Sequence, residues 1–525
     1  MKRRDFFKNM ASVVVIPSFL NSVSAQKVNP IQLMTVLANL DNTDRVLVLV
    51  QLRGGNDGLN TVIPLDQYAA YAKARTDIAI KQTDVLTLNG YPQTGIHPAM
   101  SGIRQKFNEG KVKIIQSVGY PSTNFSHFRA TDIWLSASDS SEVLSTGWIG
   151  RYLDSMYPNF PVGYPNTSMP DPLAIEVGSI LSLGFQGPQM NMSISVSDPT
   201  NFYNLINGIK DPVPNTPAGK ELAYIRTAAL QTNQYATSII QAANTIDQQS
   251  PSYPTQGTNT LADQLKIVAR LIAGGLKTKV YMVNMTGFDT HNSQVDETNT
   301  SIGTHANLLT KLSVGISAFM DDLKYLNISD RVIGLTFSEF GRRIMSNKSF
   351  GTDHGAAEPM FIFGDRVISG ILGNNPTIPE NVTVNDNIPM QYDFRSVYAS
   401  ILEQWFGIDK TFLETVMLNN FQQLALINNT GTNNKDLPST SGKQLISNYP
   451  NPFTNNTLIT FETRGEHCSV EIFDTSGKKV STLTDAELQA GTYHLNFDSS
   501  DLPSGIYYAR LQNKLIQQVN SMLKK

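Results

Sequence analysis

The chain has 525 residues, a formal net charge of −3 and 16% charged residues, a composition typical of a globular protein with more than one domain. There is neither the basic surplus of a nucleic-acid-binding protein nor an acidic tail, so no nucleic acid is expected as a partner. The single cysteine, Cys468, excludes an intramolecular disulfide and any C-x-x-C motif, so a metal would need oxygen or imidazole ligands.

Residues 1–25 predict an export signal, because a basic stretch precedes a short apolar stretch and small residues that end at Ala25. The segment "RRDFFK" resembles a twin-arginine signal, and an ordinary secretory signal with two arginines is the alternative. No apolar stretch of the chain is long enough to span a bilayer comfortably, so no transmembrane segment is expected.

Apolar runs alternate with helical patterns from residue 40 to residue 428. Strands are predicted at 45–52, 111–119, 172–178, 278–285 and 331–337. Helices are predicted at 218–247, 261–276, 305–326 and 396–407. This alternation indicates an α/β fold in which helices sandwich a mainly parallel sheet.

The composition changes at residue 429. Residues 429–446 are rich in Asn, Gly, Ser and Thr, which predicts a linker. Residues 447–525 show short alternating strands separated by turn residues, which indicates a small C-terminal antiparallel β-sandwich. A carbohydrate-binding sandwich is the less favoured interpretation, because all three tryptophans lie in the preceding domain.

Three predicted strands run directly into loops that carry a carboxylate. Asp57 follows the first strand, Asp289 with His291 follows the fourth, and Glu339 follows the fifth. Taken singly, these carboxylates fit a tight turn, a helix cap and a surface ion pair. Because the carboxyl ends of parallel strands meet at one edge of a sheet, a single shared site is the better explanation.

The loop after the strand at 111–119 adds hydroxyl and basic groups. It contains Ser126, His127 and Arg129. A serine oxygen beside a base or a cation can act as a nucleophile or a metal ligand. The alternative is that Ser126 caps a helix, and both roles are compatible because a helix N-terminus attracts an anionic substrate. The segment lacks the G-x-S-x-G motif of α/β-hydrolases.

His354 lies in "GTDHG", a segment predicted as a glycine-bounded turn, and its small polar flanks favour a ligand over a core histidine. Crowded carboxylates raise one another's pKa, so a metal or several arginines must offset them. Carboxylate and imidazole ligands suit a divalent metal such as Zn, Mn, Mg, Ca or Fe. Four side chains are therefore expected to share a cation, with Glu339 in the same cleft: Asp57, Asp289, His291 and His354.

The motifs around these residues resemble those of a known bacterial family. "LVQLRGGNDGLNTVIP", "GYPSTNFSHFRATDIW", "GFDTHNSQ", "FSEFGRR" and "GTDHGAAEPMFIFG" occur in the order found in the family "domain of unknown function 1501". The resemblance covers nearly all of residues 40–428. That family in turn resembles the alkaline phosphatase and sulfatase superfamily. The resemblance implies one or two divalent metals and cleavage of phosphate or sulfate esters by a hydroxyl or modified cysteine nucleophile.

The resemblance also implies roles for individual residues. Ser126 falls at the position of the nucleophile. The implied metal ligands are Asp57, Asp289, His291, Glu339 and His354. Two departures, the short spacing in "FDTH" and the single carboxylate in "SEF", favour one metal, or a site that no longer turns over.

Residues 447–525 resemble the type A sorting domain of the type IX secretion system, through "SNYPNPF", "EIFDTSGKKV" and "LPSGIYYARL". Such domains direct export across the outer membrane. The resemblance implies a secreted or cell-surface protein whose partners include the export machinery.

The leading hypothesis is an exported, metal-dependent hydrolase of phosphate or sulfate esters. Ser126, His127 and Arg129 are the predicted catalytic residues, and Arg53 and Arg342 the predicted anion-binding residues. The alternative is a non-catalytic secreted or surface protein of the same fold that binds an anionic glycan or another envelope component.

Overall fold

The computed structural model describes residues 44–178, 181–197, 199, 216, 234–428, 446–474, 478–513 and 517–525. Residues 44–428 belong to one compact unit and residues 446–525 to a second. The predicted export signal and residues 429–445 of the predicted linker lie outside the described residues. Among the described helices, none combines the length and the apolar character that crossing a membrane requires.

The first unit is built from strands and helices that alternate along the chain. Its strands are β1 (Val46–Arg53), β2 (Val62–Pro64), β3 (Leu86–Leu88), β4 (Tyr91–Ile96), β5 (Val112–Gly119), β6 (Ala174–Val177), β7 (Ser193–Val196), β8 (Val280–Thr286), β9 (Val332–Phe337), β10 (Arg342–Ser346), β11 (Thr352–His354), β12 (Glu358–Phe363), β13 (Gly370–Leu372) and β14 (Tyr392–Asp393). Its α-helices are α1 (Gly58–Thr61), α2 (Tyr68–Ala74), α3 (Ser101–Asn108), α4 (His127–Ser136), α5 (Trp148–Met156), α6 (234–245), α7 (Thr260–Ala273), α8 (Thr304–Tyr325), α9 (Phe394–Phe406) and α10 (Lys410–Met417).

Among the described residues, nine strands form the central sheet, in the order β13-β5-β12-β9-β1-β8-β6-β7, with β14 paired to β5. Every pairing is parallel except those of β12, which runs antiparallel to both β5 and β9. Successive residues of β1 from Val46 to Leu52 are all buried. Because side chains alternate between the two faces of a strand, the sheet is covered on both faces. The predicted α/β fold with a mainly parallel sheet is confirmed.

The five predicted strands and the helices at 261–276, 305–326 and 396–407 are present, with ends shifted by a few residues. The predicted helix at 218–247 is described only from residue 234, as α6. The predicted turn around His354 is instead strand β11, which pairs with β10 in a short antiparallel hairpin. This hairpin holds the backbone of His354 opposite that of Arg342.

The second unit is an antiparallel sheet of β15 (Ile446–Tyr449), β16 (Asn456–Asp474), β17 (Lys479–Asp498), β18 (Gly505–Asn513) and β19 (Gln517–Lys524). Its buried side chains form a core of their own, which includes Phe461, Val470 and Met522. The side chain of Asn520 in β19 donates to that of Asn448 in β15 at 2.7 Å, so the two ends of the strand order approach each other. The predicted C-terminal antiparallel β-domain is confirmed.

A buried carboxyl in the central sheet makes stability depend on pH. Burial raises the pKa of Glu176 to about 8 from an ordinary value of 4.5, and the amide of Ser182 and the charge of Arg53 offset this only in part. Between the two pKa values the folded protein keeps a proton that the unfolded chain releases. The free energy of unfolding therefore falls as the pH rises, by at most about 1.4 kcal/mol per pH unit.

We expect Glu176→Gln to remove this penalty, so that the variant gains stability over the parent protein as the pH rises from 5 to 8. Urea unfolding of both proteins at several pH values in this window measures the difference. Asp77→Asn, at an exposed side chain, is the control and should show no such trend. A difference between Glu176→Gln and the parent that does not change with pH would contradict the expectation.

Candidate metal centre

The carboxyl ends of β9, β1 and β8 lie side by side, because β1 pairs with β9 on one side and β8 on the other. The loop after each strand carries one of the predicted carboxylates. Gly54 turns the chain after β1 with φ of +125°, and a Cβ there would lie 2.3 Å from the backbone nitrogen of Asp289. Glycine is therefore required at position 54, because a side chain there would prevent the loops after β1 and β8 from packing together.

Three imidazoles face the carboxylate of Asp289. Nε2 of His127 lies 3.5 Å from its Oδ2, while Nε2 of His291 and Nε2 of His354 lie 3.2 and 3.3 Å from its Oδ1. Within the described part of the chain, the ligand atoms of His127, Asp289 and His354 all lie within 4.8 Å of one another. Four side chains predicted to belong to the site are thus brought together.

Each of the three rings is oriented through its other nitrogen, Nδ1, which lies against an oxygen acceptor. The three pairs are His127 with Glu339 Oε1 at 2.8 Å, His291 with Asp353 Oδ1 at 3.2 Å, and His354 with the carbonyl oxygen of Phe125 at 2.8 Å. Metal-binding histidines typically have such a partner, since it fixes the ring and leaves Nε2 for the ion.

The hydrogen-bond partners of the rings indicate that this cluster fits a cation. The carbonyl of Phe125 can only accept, so neutral His354 carries its proton on Nδ1 and has a lone pair at Nε2. Nε2 of His354 lies 2.9 Å from Nε2 of His291, so at most one of these atoms carries a proton. At least one lone pair therefore faces the Asp289 carboxylate. Nitrogen and oxygen donors arranged in this way fit a bound metal ion.

Arg342 holds Asp289 in place. Its buried guanidinium donates to Oδ1 of Asp289 at 2.8 Å and to the backbone carbonyls of Gly54, Gly55 and Phe288. Burial raises the pKa of Asp289, but the hydrogen bond and charge of Arg342, together with His354 and His291, outweigh burial, so the pKa lies below its ordinary value. Arg342 was predicted to bind a substrate anion, but these contacts give it a positioning role.

Glu339 orients His127 and does not belong to the cluster of candidate ligand atoms. Its side chain is buried, and its Oε1 accepts a hydrogen bond from the amide of Gly54 at 2.8 Å while contacting Nδ1 of His127. The neighbouring Ser338 accepts hydrogen bonds from the amides of Gly55 and Asn56. The loops after β1 and β9 are thereby locked together beneath His127.

Asp57 has a structural role in place of the predicted metal ligation. Nη1 of Arg75 contacts its two oxygens at 2.8 and 2.6 Å, and the amide of Gln294 donates to Oδ2 at 2.6 Å. Both Asp57 and Arg75 are fully buried. Burial alone would raise the pKa of Asp57, but the charge of Arg75 keeps it below its ordinary value. Asp57 is therefore not a metal ligand, because the buried guanidinium of Arg75 already neutralises its carboxylate.

The remaining predicted residues lie around the cluster. Ser126 is exposed at the N-cap of α4, directly before His127, and its hydroxyl caps no amide of the helix. Arg129 donates through Nη2 to the backbone carbonyls of Asp139, Ser140 and Glu142, so it fixes the loop after α4. Arg53 ends β1 with an exposed side chain that lines a cavity beside α4.

The sequence analysis did not predict two residues that contact the candidate site or its neighbours, Asp353 and Arg75. Asp353 orients His291, and its position directly before His354 was the available signal. Arg75 neutralises Asp57 from the end of α2, and no motif of the sequence indicates that pairing. Side-chain direction, which sets both contacts, is not encoded in spacing alone.

The chain belongs to the protein family of unknown function DUF1501, whose sequence profile matches residues 114–417, more than half of the chain. Residues 447–525 match the secretion system C-terminal sorting domain. Both resemblances inferred from the sequence are confirmed. The sorting domain marks the protein for export to the cell surface or the medium, which confirms the predicted localisation.

Solved structures with a similar fold come from the alkaline phosphatase and sulfatase group. A Vibrio parahaemolyticus protein in the alkaline phosphatase superfamily is 11% identical, with a TM-score of 0.32 and coverage of 88% of this chain and 92% of that chain. The PsFucS1 sulfatase from Pseudoalteromonas sp. is 9% identical, with a TM-score of 0.35 and coverage of 89% of this chain and 86% of that chain. Both similarities concern the fold alone. By sequence, none of the curated proteins compared with the chain matches it.

Proposed function

We propose that this exported protein is a metal-dependent hydrolase of phosphate or sulfate esters. The metal would be held by His127, Asp289 and His354, with His291 beside them. One observation carries the proposal: three imidazoles, each fixed through Nδ1, direct Nε2 at the same carboxylate. A bound cation would be stabilised here, because the lone pair of His354 Nε2 and the negative charge of Asp289 face one another.

The donor set narrows the choice of metal. Magnesium and calcium prefer oxygen ligands, whereas imidazole suits zinc and other transition metals. We therefore favour zinc, or another transition metal, over magnesium and calcium. When bound, such an ion supplies a Lewis acid for the ester oxygen and lowers the pKa of a coordinated hydroxyl group.

Ser126 is the proposed nucleophile. It directly precedes His127, and it stands at the N-terminus of α4, where backbone amides and the helix dipole attract an anionic group. His127 does not serve as its base, because both ring nitrogens of His127 already face carboxylates, Nδ1 that of Glu339 and Nε2 that of Asp289. Activation of the serine hydroxyl would therefore depend on the metal.

The experiment is a hydrolysis assay with 4-nitrophenyl phosphate and 4-nitrophenyl sulfate. We expect turnover of at least one ester, its loss on treatment with EDTA and its recovery on addition of zinc. Ser126→Ala should abolish turnover while leaving zinc binding intact. Ser122→Ala, an exposed serine on the same loop, is the matched control and should retain activity. A lack of turnover with every divalent metal would sink the hydrolase proposal.

The non-catalytic alternative is favoured by a different observation. Arg129 and Arg342, two of the arginines predicted to act on the substrate, are occupied by backbone carbonyls. A site with fewer free cations would stabilise a transferring phosphoryl or sulfuryl group less well. Tight zinc binding together with an absence of turnover in the same assay would support this alternative.

A further inference from the structure

A cavity of about 470 Å³ lies at the carboxyl ends of β1, β6 and β8, against α4. Its volume falls within the roughly 300–1,000 Å³ typical of small-molecule sites. Gln51 and Arg53 of β1, Glu176 of β6 and Asn284 of β8 line it, together with Thr131 of α4. The cavity therefore lies on the same edge of the sheet as the candidate metal centre.

The cavity and the candidate metal centre both lie against α4. His127, at the first position of the helix, faces Asp289, while Thr131 and Leu135 line the cavity. Residues four apart lie on one face of a helix, separated by about 6 Å along its axis. At the other wall, Arg53 lines the cavity and the next residue, Gly54, donates its amide to Glu339. The cavity thus lies about one helical turn from the candidate metal centre, within reach of the alcohol portion of an ester held there.

Two buried polar side chains, Gln51 and Glu176, lie in the wall of the cavity. The amide nitrogen of Gln51, a residue only 4% exposed, has no hydrogen-bond partner within the described part of the chain. Glu176 is 5% exposed, and its Oε2 accepts a hydrogen bond from the backbone amide of Ser182 at 2.8 Å. Leaving a buried donor unpaired costs about 1–3 kcal/mol, which a ligand with matching groups would recover.

The charges around the cavity disfavour an anion there. Within the described part of the chain, the carboxylates of Asp132 and Asp263 line it, against a single cation, Arg53. Burial raises the pKa of Glu176 to about 8, so at neutral pH its carboxyl is protonated and can donate a hydrogen bond. The wall therefore presents a carboxyl, an amide and a threonine hydroxyl, which both donate and accept, as sugar hydroxyls do.

We propose that this cavity binds the uncharged, hydroxyl-bearing alcohol portion of the substrate, a sugar ring, while the ester group lies at the metal centre. The inference rests on the proposed hydrolase function for the position of the ester. The cavity residues are not candidate metal ligands, so sugar binding can be measured on protein from which metal has been removed. Sugar binding can therefore fail while ester hydrolysis is observed, and ester hydrolysis can fail while sugar binding is observed.

The test is ligand-observed NMR with EDTA-treated protein and D-glucose, D-galactose, L-fucose or N-acetyl-D-glucosamine. We expect at least one of these neutral sugars to bind, and the anionic D-glucuronate to bind more weakly than that sugar. Gln51→Leu should weaken binding about tenfold, because it removes hydrogen bonds while preserving the shape of the side chain. Gln116→Leu is the matched control, since Gln116 is a buried glutamine of β5 that lies outside this cavity.

The inference is overturned if no sugar of the panel binds at its highest soluble concentration. It is equally overturned if Gln51→Leu and Gln116→Leu bind the sugar alike.

Discussion

Replacing Asp289 with asparagine is expected to lower the affinity for zinc by well over a hundredfold and to abolish ester hydrolysis. Asp289 is the group that the Nε2 atoms of all three imidazoles face, and the substitution keeps its shape while removing its charge. Even residues that only orient a metal ligand change affinity by about 10–100-fold when replaced, so a ligand itself should matter more. Competition with a chromophoric zinc chelator at constant pH measures the affinity.

Asp353→Asn is the matched control for this prediction. Asp353 is also an exposed aspartate in contact with His291, but it touches Nδ1 rather than Nε2. Its replacement should reduce zinc affinity by about 10–100-fold or less, as expected of an orienting partner. Equal losses in the two variants would mean that the cation lies elsewhere, and unchanged affinity in Asp289→Asn would place zinc outside this cluster.

Replacing Arg75 with methionine is expected to destabilise the α/β unit by about 3–5 kcal/mol, because it leaves a buried carboxylate without its partner. Asp57 and Arg75 are both fully buried, and the contact between Nη1 and Oδ2 is 2.6 Å long. Urea unfolding followed by tryptophan fluorescence measures the effect, since all three tryptophans belong to this unit.

The double variant Asp57→Leu with Arg75→Met tests the physical reason. Removing both charges replaces the buried pair by apolar groups, which is often neutral or stabilising. We expect the double variant to recover most of the stability lost by Arg75→Met alone. Loss of an exposed ion pair changes the free energy of unfolding by no more than about 1 kcal/mol. If the free energy of unfolding of Arg75→Met differs from that of the parent protein by no more than this amount, the structural role assigned to Asp57 is incorrect.

Much of the fold could be predicted because buried parallel strands are continuous apolar runs. The segment "VLVLVQL" of β1 is such a run, and all of its residues are buried. Strand β12 has no comparable signal, since it begins with Glu358 and Pro359, and proline inside a central strand argues against that assignment. The structure accommodates Pro359 at a shift of register between β12 and β5, a feature that depends on tertiary contacts.

The position of the candidate site could be predicted from the sequence, but not the contacts that each of its side chains makes. The edge of the sheet followed from the order of strands and loops, and it brings Asp289, His291 and His354 together. Glu339 and Asp57 emerge at the same edge, yet their carboxylates bind other protein groups. Which way a loop side chain points depends on distant partners such as Arg75, and no local pattern encodes those partners.

The most direct test of the metal centre is the anomalous scattering of zinc in crystals grown or soaked with the ion. The predicted result is a peak within about 2.0–2.2 Å of Nε2 of His127, Nε2 of His354 and a carboxylate oxygen of Asp289. No zinc peak among these side chains, or a peak bound only by other residues, would contradict the account.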